Sequence, residues 1–305
     1  MQDHHLAFVF PAFTNDYADH PGQTMPGFDQ YFSELLFKAA SHTDQELAQF
    51  TFENRAFHDD ELRTQYITYI YSCAASSLLR NNGLSPGFTA GYSMGIYAAL
   101  FDGGAVSFET GLTLIRLAHG SLLKSLPGAE YTMGTLIGLD RKDIETLIDK
   151  SAFSIEITNQ NASHSFVISG RRAEVHQLLK LAKEEGALNT RDLSVSIPYH
   201  SSELKAGAMD FADNLGKLDI GSPQTPVISL VDQALLTNPR MVAAELVRNL
   251  YYPLNWFNTM QALLGHGVSH FIECGPSKGL AKNARFIEGA RNFYTLNAIP
   301  PASSD

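Results

Sequence analysis

The sequence predicts an α/β fold, a large domain of alternating strands and helices interrupted by a small mixed unit. Three observations carry that reading. The chain has 305 residues, 44% of them apolar, enough for one large α/β domain or two ordinary ones with a sizeable core. Unbroken apolar runs such as LAFVFPAF suit strands buried on both faces of a parallel sheet. Over about residues 131–197 the order is β-α-β-β-α-β, the pattern of a ferredoxin-like unit. Residues 1–128 and 198–305 are therefore assigned to the main domain and 129–197 to an insert.

LAFVFPAF opens the chain as a strand stopped by Pro11. FSELLFKAA is helical, and TQYITYIYSCAASSLLRNNG keeps helical spacing until Asn81, Asn82 and Gly83 stop it. PGFTAGYSMGIYAALFDGG reads as a short strand, a tight turn and an Ala-rich helix. FETGLTLIRLAHGSLLKSL is an amphipathic helix ending at Pro127-Gly128. In the insert, YTMGTLIGL, FSIEITNQN, HSFVISG and RDLSVSI are the strands; RKDIETLIDKSA and RRAEVHQLLKLAKEEG are the helices. PVISLVD and SHFIEC resume the strands of the main domain, and the tail AIPPASSD has nothing to order it.

Charge and cysteine content narrow the function. Lys+Arg number 22 against 32 Asp+Glu, a net charge of −10, with no long basic run; nucleic acid is a poor partner for such a chain. No apolar run reaches the roughly 18–20 residues of a membrane span, and MQDHHLAFVF lacks the basic start of a signal peptide. Cys73 and Cys274 form neither a CxxC site nor a disulfide framework. A soluble, cytoplasmic enzyme is expected. No metal site is expected either: His266 and His270 have i,i+4 spacing, but the glycines of GHGVSH break the helix that would align them, and His4 and His5 are read as solvated.

The chemistry-bearing motif is GYSMG, residues 91–95, which matches G-x-S-x-G between a strand and a helix. In such an elbow the glycines allow close backbone approach, the turn presents the serine, and the helix N-terminus offers N–H groups to an oxyanion. GPSKG, residues 275–279, matches the same pattern. Ser93 is preferred over Ser277 because Pro276 fixes φ and removes an N–H in the second turn, and because the helix after Ser93 is apolar whereas that after Ser277 is basic and amphipathic. A serine needs a base, and His200 in SIPYHSSEL follows a strand end, where α/β enzymes place catalytic groups.

GYSMGIYAAL resembles the GHSxGEYAAL signature of malonyl-CoA:acyl carrier protein transacylases and polyketide acyltransferase domains. The resemblance runs along nearly the whole chain. FVFPAFTND falls where the family has FPGQGSQ, TQYITYIYSCA resembles its TQPAL helix, and SIPYHS resembles its PxHS block. MGTLIGLD and NQNASHSFVISG follow its inserted subdomain, and PVISLVD, RNLYYPLNW and FIECGPSKGLAKNAR match three later blocks in order. The resemblance implies an α/β-hydrolase-like large domain with a ferredoxin-like insert.

It also implies a mechanism. Ser93 attacks an acyl thioester while His200 takes its proton and later activates the incoming thiol. Asn249, where most members have Gln, orients His200 through its amide or its backbone carbonyl. The oxyanion hole is formed by the N–H groups of Met94 and Phe13. Phe13 replaces the first glutamine of FPGQGSQ, so its ring either reshapes the acyl pocket or is simply core. The pocket residues carried over are Tyr92, Ala118, His119, Asn161 and Tyr199, with Asn161 alternatively holding a β-turn.

The main departure lies in FETGLTLIRLAHGSLL. Aligned without a gap, Ala118 stands where the family has an arginine that pairs with the malonyl carboxylate. Arg116 lies about 200° away around the helix and His119 about 100°. Leaving a buried carboxylate uncompensated costs on the order of 3–5 kcal/mol. At about tenfold per 1.4 kcal/mol, malonyl preference is expected to fall by two or more orders of magnitude unless another cation lines the cleft. Tyr92 for the usual His and Ile96 for the usual Glu mark further divergence.

The expected activity is transfer of an acyl group from acyl-CoA to the phosphopantetheine thiol of an acyl carrier protein. A coenzyme A thioester or phosphopantetheine enters as substrate, with no permanent cofactor, and the protein is expected to be a monomer. An acyl-thioester hydrolase of the same fold is the alternative; a non-catalytic scaffold fits poorly with retention of both Ser93 and His200. Lys278, Lys282 and Arg285 are candidates for docking an acidic carrier, although a solvated face is the ordinary reading of such a run.

Overall fold

A computed structural model of the chain describes residues 2–14, 17, 25–54, 57, 59–126, 128 and 130–299. Pro127, where the sequence reading ends a helix, position 129, where it starts the insert, and the tail from 300 lie outside the described residues.

The described elements run in the order β1 (Asp3–Phe10), α1 (Phe28–His42), α2 (Glu61–Asn81), β2 (Pro86–Gly91), α3 (Gly95–Asp102), α4 (Phe108–Ser125), β3 (Tyr131–Ile137), α5 (Arg141–Ser151), β4 (Ile155–Ala162), β5 (Ser165–Arg171) and α6 (Arg172–Glu184). There follow β6 (Asn189–Asp192), α7 (Lys205–Leu215), β7 (Val227–Ile228), β8 (Leu235–Leu236), α8 (Pro239–Tyr251), β9 (Leu254–Asn255), α9 (Trp256–Gly265), β10 (His270–Glu273), α10 (Gly279–Ala284) and β11 (Asn292–Thr295).

Two sheets result. The first has the order β11-β10-β1-β2-β7-β8, parallel apart from β8 against β7. Its centre, β1, explains the unbroken apolar run. Leu6, Phe8 and Phe10 belong to a core shared with α2, α3 and α4, while Ala7 and Val9 face a second core with Trp256, Met260 and Leu280. Both faces are dry, so no polar alternation appears. α2 starts on Asp60, whose carboxylate accepts from the Arg63 N–H at 2.8 Å, and α4 starts on Ser107, which accepts from the Thr110 N–H at 3.0 Å.

The second sheet has the order β6-β3-β5-β4-β9. β3, β4, β5 and β6 pair antiparallel, and a third core of Leu136, Ile144, Phe166, Val175 and Leu178 lies between them and α5 and α6. The fifth strand comes from outside residues 129–197: β9 pairs parallel with β4, Asn159 opposite Leu254, and joins the two sheets' segments beside the site.

One strand is placed differently from the sequence reading. RDLSVSI was expected to be extended over 191–197, but β6 ends at Asp192. The Asp192 carboxylate accepts from the Ser194 N–H at 2.7 Å, and Ser194 turns to a φ of 54°. This local side-chain bond competes with the ladder and ends it. The two-residue strands β7, β8 and β9 are too short to leave any periodicity, and PVISLVD contributes only Val227 and Ile228 to the sheet.

Candidate active site

β1, β2 and β10 end side by side, Phe10 opposite Gly91 and Val9 opposite Glu273. The carboxyl edge of a parallel sheet is where ligands bind in α/β proteins. GYSMG turns there. Ser93 adopts a φ of 56°, in the left-handed region that costs a non-glycine residue on the order of 1 kcal/mol or more. Its glycines are sterically required. A Cβ on Gly91 would meet the Gly95 carbonyl carbon at 2.2 Å, and one on Gly95 would meet the Phe10 oxygen at 2.2 Å. Close approach at Gly95 brings the start of α3 against the end of β1, and Met94 and Phe13 line one pocket with Ser93. No described residue accepts from the N–H of Met94 or of Phe13.

His200 comes from the opposite side. It has a φ of 64°, and its N–H donates to the Leu250 carbonyl at 3.0 Å. Its Nδ1 lies 2.6 Å from the backbone carbonyl of Asn249 and its Nε2 lies 2.7 Å from Ser93 Oγ. A carbonyl only accepts, so Nδ1 carries the proton and Nε2 is the acceptor facing the serine hydroxyl. Both carbonyls belong to the last turn of α8, which has no further helical donors for them. Burial pushes the imidazole down to about 4, against the Asn249 carbonyl bond, which raises it. At neutral pH His200 is therefore an uncharged base. The acceptor on Nδ1 is a carbonyl and not a carboxylate.

Ser93, His200, Phe13 and Tyr199 form the wall between two spaces. Outside is an open cleft of about 760 Å³, whose lining adds Tyr92, Asn159, Leu193, Asp59 and Arg191. Inside is a pocket of about 20 Å³, lined also by Met94, Ala118, His119, Asn249, Gln65 and Tyr97. Phe13 thus lines both, with its ring edge-on to Tyr199 at 6.2 Å. Asn249 lines the inner pocket, and its Nδ2, fully buried, has no hydrogen-bond partner among the described residues. Arg116 is exposed and lines neither space.

Asn161 lines neither space. It lies on β4, where its Oδ1 accepts from Tyr92 OH at 2.8 Å, while the Tyr92 hydroxyl oxygen accepts from Asn159 Nδ2 at 3.0 Å. Tyr92, edge-on to Trp256 at 5.7 Å and pushed up to about 12 by burial, ties the elbow to the second sheet. Sequence reasoning missed Asn159, which the strand period of two places on the same face as Asn161. It also missed Gln65 within TQYIT, and it missed Arg191. Ser277 is not hydrogen-bonded to any described histidine, and His266 and His270 stack separately on Phe88 and Tyr294. Among the described residues no three His, Cys, Asp or Glu side chains are grouped to hold a metal, and no helix is long and apolar enough to cross a membrane.

Comparison with known proteins gives the family. Residues 63–286 match the acyl transferase domain family. The malonyl CoA-acyl carrier protein transacylase of Bacillus subtilis (strain 168) is 30% identical over 305 residues, covering 97% of this chain and 94% of that protein. The structure of the malonyl CoA-acyl carrier protein transacylase from Coxiella burnetii superposes with a TM-score of 0.85 at 29% identity, over 96% of this chain and 94% of that one. At the level of the fold alone, so does a malonyl-transacylase solved in complex with its type II polyketide acyl-carrier protein, with a TM-score of 0.87, 24% identity and coverage of 97% and 96%. Three-quarters of the chain lies inside the family match and nearly all of it aligns with the bacterial enzymes, so the chain belongs to the malonyl-CoA:acyl carrier protein transacylase family.

Proposed function

We propose that the protein transfers an acyl group from a thioester donor such as acyl-CoA to the phosphopantetheine thiol of an acyl carrier protein, through an ester on Ser93. The observation that carries this reading is the relay from Ser93 Oγ to His200 Nε2 at 2.7 Å and from Nδ1 to the Asn249 carbonyl at 2.6 Å. The Ser93 proton passes to Nε2 as Oγ bonds to the thioester carbon. The oxyanion is held by the N–H groups of Met94 and Phe13, and its collapse expels the thiol, which takes the proton back from Nε2. In the second half the carrier's thiol gives its proton to Nε2 as its sulfur bonds to the ester carbon; the oxyanion then collapses, the bond from that carbon to Ser93 Oγ breaks, and Oγ takes the proton back from Nε2. The imidazolium formed in each half is stabilised by the Asn249 carbonyl and the C-terminal end of α8. Ala118 supports an acyl group without a free carboxylate, since no guanidinium stands among the described residues of the inner pocket.

The carrier and CoA arm would approach through the open cleft, where Arg191 is the cation among the described lining residues. Lys278, Lys282 and Arg285 remain the candidates for docking an acidic carrier. The layout is read as α/β-hydrolase-like over 1–128 and 198–305 with a ferredoxin-like insert over 129–197, in a monomeric, cytoplasmic enzyme. Support for the insert comes from the antiparallel order β6-β3-β5-β4.

Incubation with a panel of acyl-CoAs and acyl carrier proteins, followed by intact-mass spectrometry, should give an acyl adduct on Ser93. An adduct on Ser277 would overturn the assignment. A hydrolase reading is favoured by one observation: about 20 Å³ with an unpaired Asn249 Nδ2 suits a single water beside the ester. Following acyl-carrier protein with time separates the two, accumulation meaning transfer and loss with release of free acid meaning hydrolysis.

A further inference from the structure

Behind the inner pocket lies a carboxylate that the acyl-serine reading does not use. Glu61 is the first residue of α2. Its Oε1 accepts from Tyr199 OH at 2.5 Å and its Oε2 from Ser196 Oγ at 3.3 Å. Gln65 Nε2 donates to Tyr199 OH at 2.8 Å. Tyr199 and Gln65 both line the pocket, so Glu61 stands one side chain behind its wall. The tyrosine hydroxyl gives its one proton to Glu61 and has none to offer inward. Its own ionisation is held well above the usual phenol range by burial and then by the Glu61 charge.

His119, which lines the same pocket, is lowered by burial, and the charges of Glu61 and Asp60 oppose that lowering. An acyl group ending in a carboxylate would meet the same field with the opposite sign. Lys and Arg are absent from the described lining, which includes Ala118. Size acts in the same direction. About 20 Å³ accommodates roughly one water or one methyl group.

We propose that Glu61, through Tyr199 and Gln65, is a specificity-determining residue that turns carboxylate-bearing acyl groups away from Ser93 and reserves the inner pocket for a short, uncharged acyl group of about acetyl size. The inference rests on the acyl-serine reading given above. It is independent of Arg191, which lines the outer cleft and not this pocket.

The test is competitive loading. Wild-type protein and the Glu61→Gln and Glu61→Asp variants are incubated with acetyl-, butyryl- and malonyl-CoA, and adducts on Ser93 are quantified by mass spectrometry. Gln still accepts from Tyr199 but carries no charge, so the malonyl-to-acetyl ratio should rise about tenfold, while Asp, which keeps the charge, should hold the ratio near that of the wild type. Wild type should load acetyl at least about tenfold faster than either butyryl or malonyl. A ratio unmoved in Glu61→Gln overturns the electrostatic role, and malonyl or butyryl loading as fast as acetyl in wild type overturns the substrate class, even if the variants fail to fold. Arg191→Ala distinguishes the competing source of charge: a selective loss of malonyl loading would assign the acyl carboxylate to the outer cleft and overturn the proposal. Absence of both adduct and released free acid from all three donors removes the acyl-serine reading itself.

Discussion

GYSMG and GPSKG leave the same edge of the large sheet, one after β2 and the other after β10, on either side of β1. Each first glycine packs closely against its surroundings: a Cβ on Gly275 would lie 2.2 Å from the Pro11 ring, much as one on Gly91 would strike the Gly95 backbone. Beyond that glycine the two turns differ. Ser93 is forced to a φ of 56° and meets His200, whereas Ser277 is absent from the residues with positive φ and its Oγ accepts from the Gly279 N–H at 3.4 Å. The helix starts differ too. Glu273 accepts from the Leu280 and Ala281 N–H groups at 3.1 and 2.9 Å, so the start of α10 already holds a carboxylate. The start of α3 has no such occupant among the described residues. One pentapeptide pattern thus places a serine against a histidine in one turn and leads into a helix start occupied by Glu273 in the other, and the neighbours decide which.

The largest expected effect breaks this comparison directly. Ser93→Ala should reduce acyl loading by at least about a thousandfold, and Ser277→Ala should leave it within about twofold. Equal losses in both variants would mean that the hydroxyl at the second turn takes part.

A second contrast concerns the glycines. Gly95→Ala places a Cβ on the Phe10 carbonyl oxygen, an overpacking that backbone movement alone can relieve, and should cost on the order of 3 kcal/mol. At Gly279 the nearest atom to a built Cβ is Ser277 Oγ at 3.6 Å, and the substitution should stay within about 0.5 kcal/mol. Urea unfolding of both variants measures the difference.

The pH profile sharpens the same contrast. His200 must be neutral to take the Ser93 proton, and its burial holds it at about 4. The loading rate should rise as pH increases through about 4 and be level by about 6, about two and a half units below the level an exposed histidine would require. A midpoint near 6.5 would show that water reaches the imidazole.

Much of this was legible in the sequence, for identifiable reasons. β1 was visible because both of its faces are buried, α2 because its apolar residues keep helical spacing and Gly83 ends it at a φ of 89°; its start on Asp60, before TQYIT, was not read. Ser93 was visible because the close approach at Gly91 and Gly95 leaves a mark in residue type. His200 could be proposed from its block, but not the carbonyl that orients it, since every residue has one. Glu61 was invisible for a different reason. It meets Tyr199 from 138 positions away, and nothing local in DDELRTQ separates it from the helix-start acids beside it. The pairing of β9 with β4 was equally hidden, because two residues carry no period.

The smallest expected effect is on stability, and it sets the two turns against each other. Burial lowers His200 to about 4 but raises Glu273 to about 7. Between pH 4 and 6.5 the unfolded chain holds the imidazole proton that the folded one has lost, so His200 makes stability rise with pH. Between about 4.5 and 7 the folded chain holds the Glu273 proton that the unfolded one has lost, so Glu273 makes stability fall with pH. Each slope integrates to on the order of 3 kcal/mol, and over the shared window they oppose one another. The melting temperature of the wild type should therefore change little on this account from pH 4.5 to 6.5. Glu273→Gln removes the falling part and should expose a rise with pH; His200→Gln removes the rising part and should expose a fall that persists to about pH 7. Parallel curves for wild type and Glu273→Gln would mean that the α10 amides, and not a retained proton, accommodate the buried carboxyl.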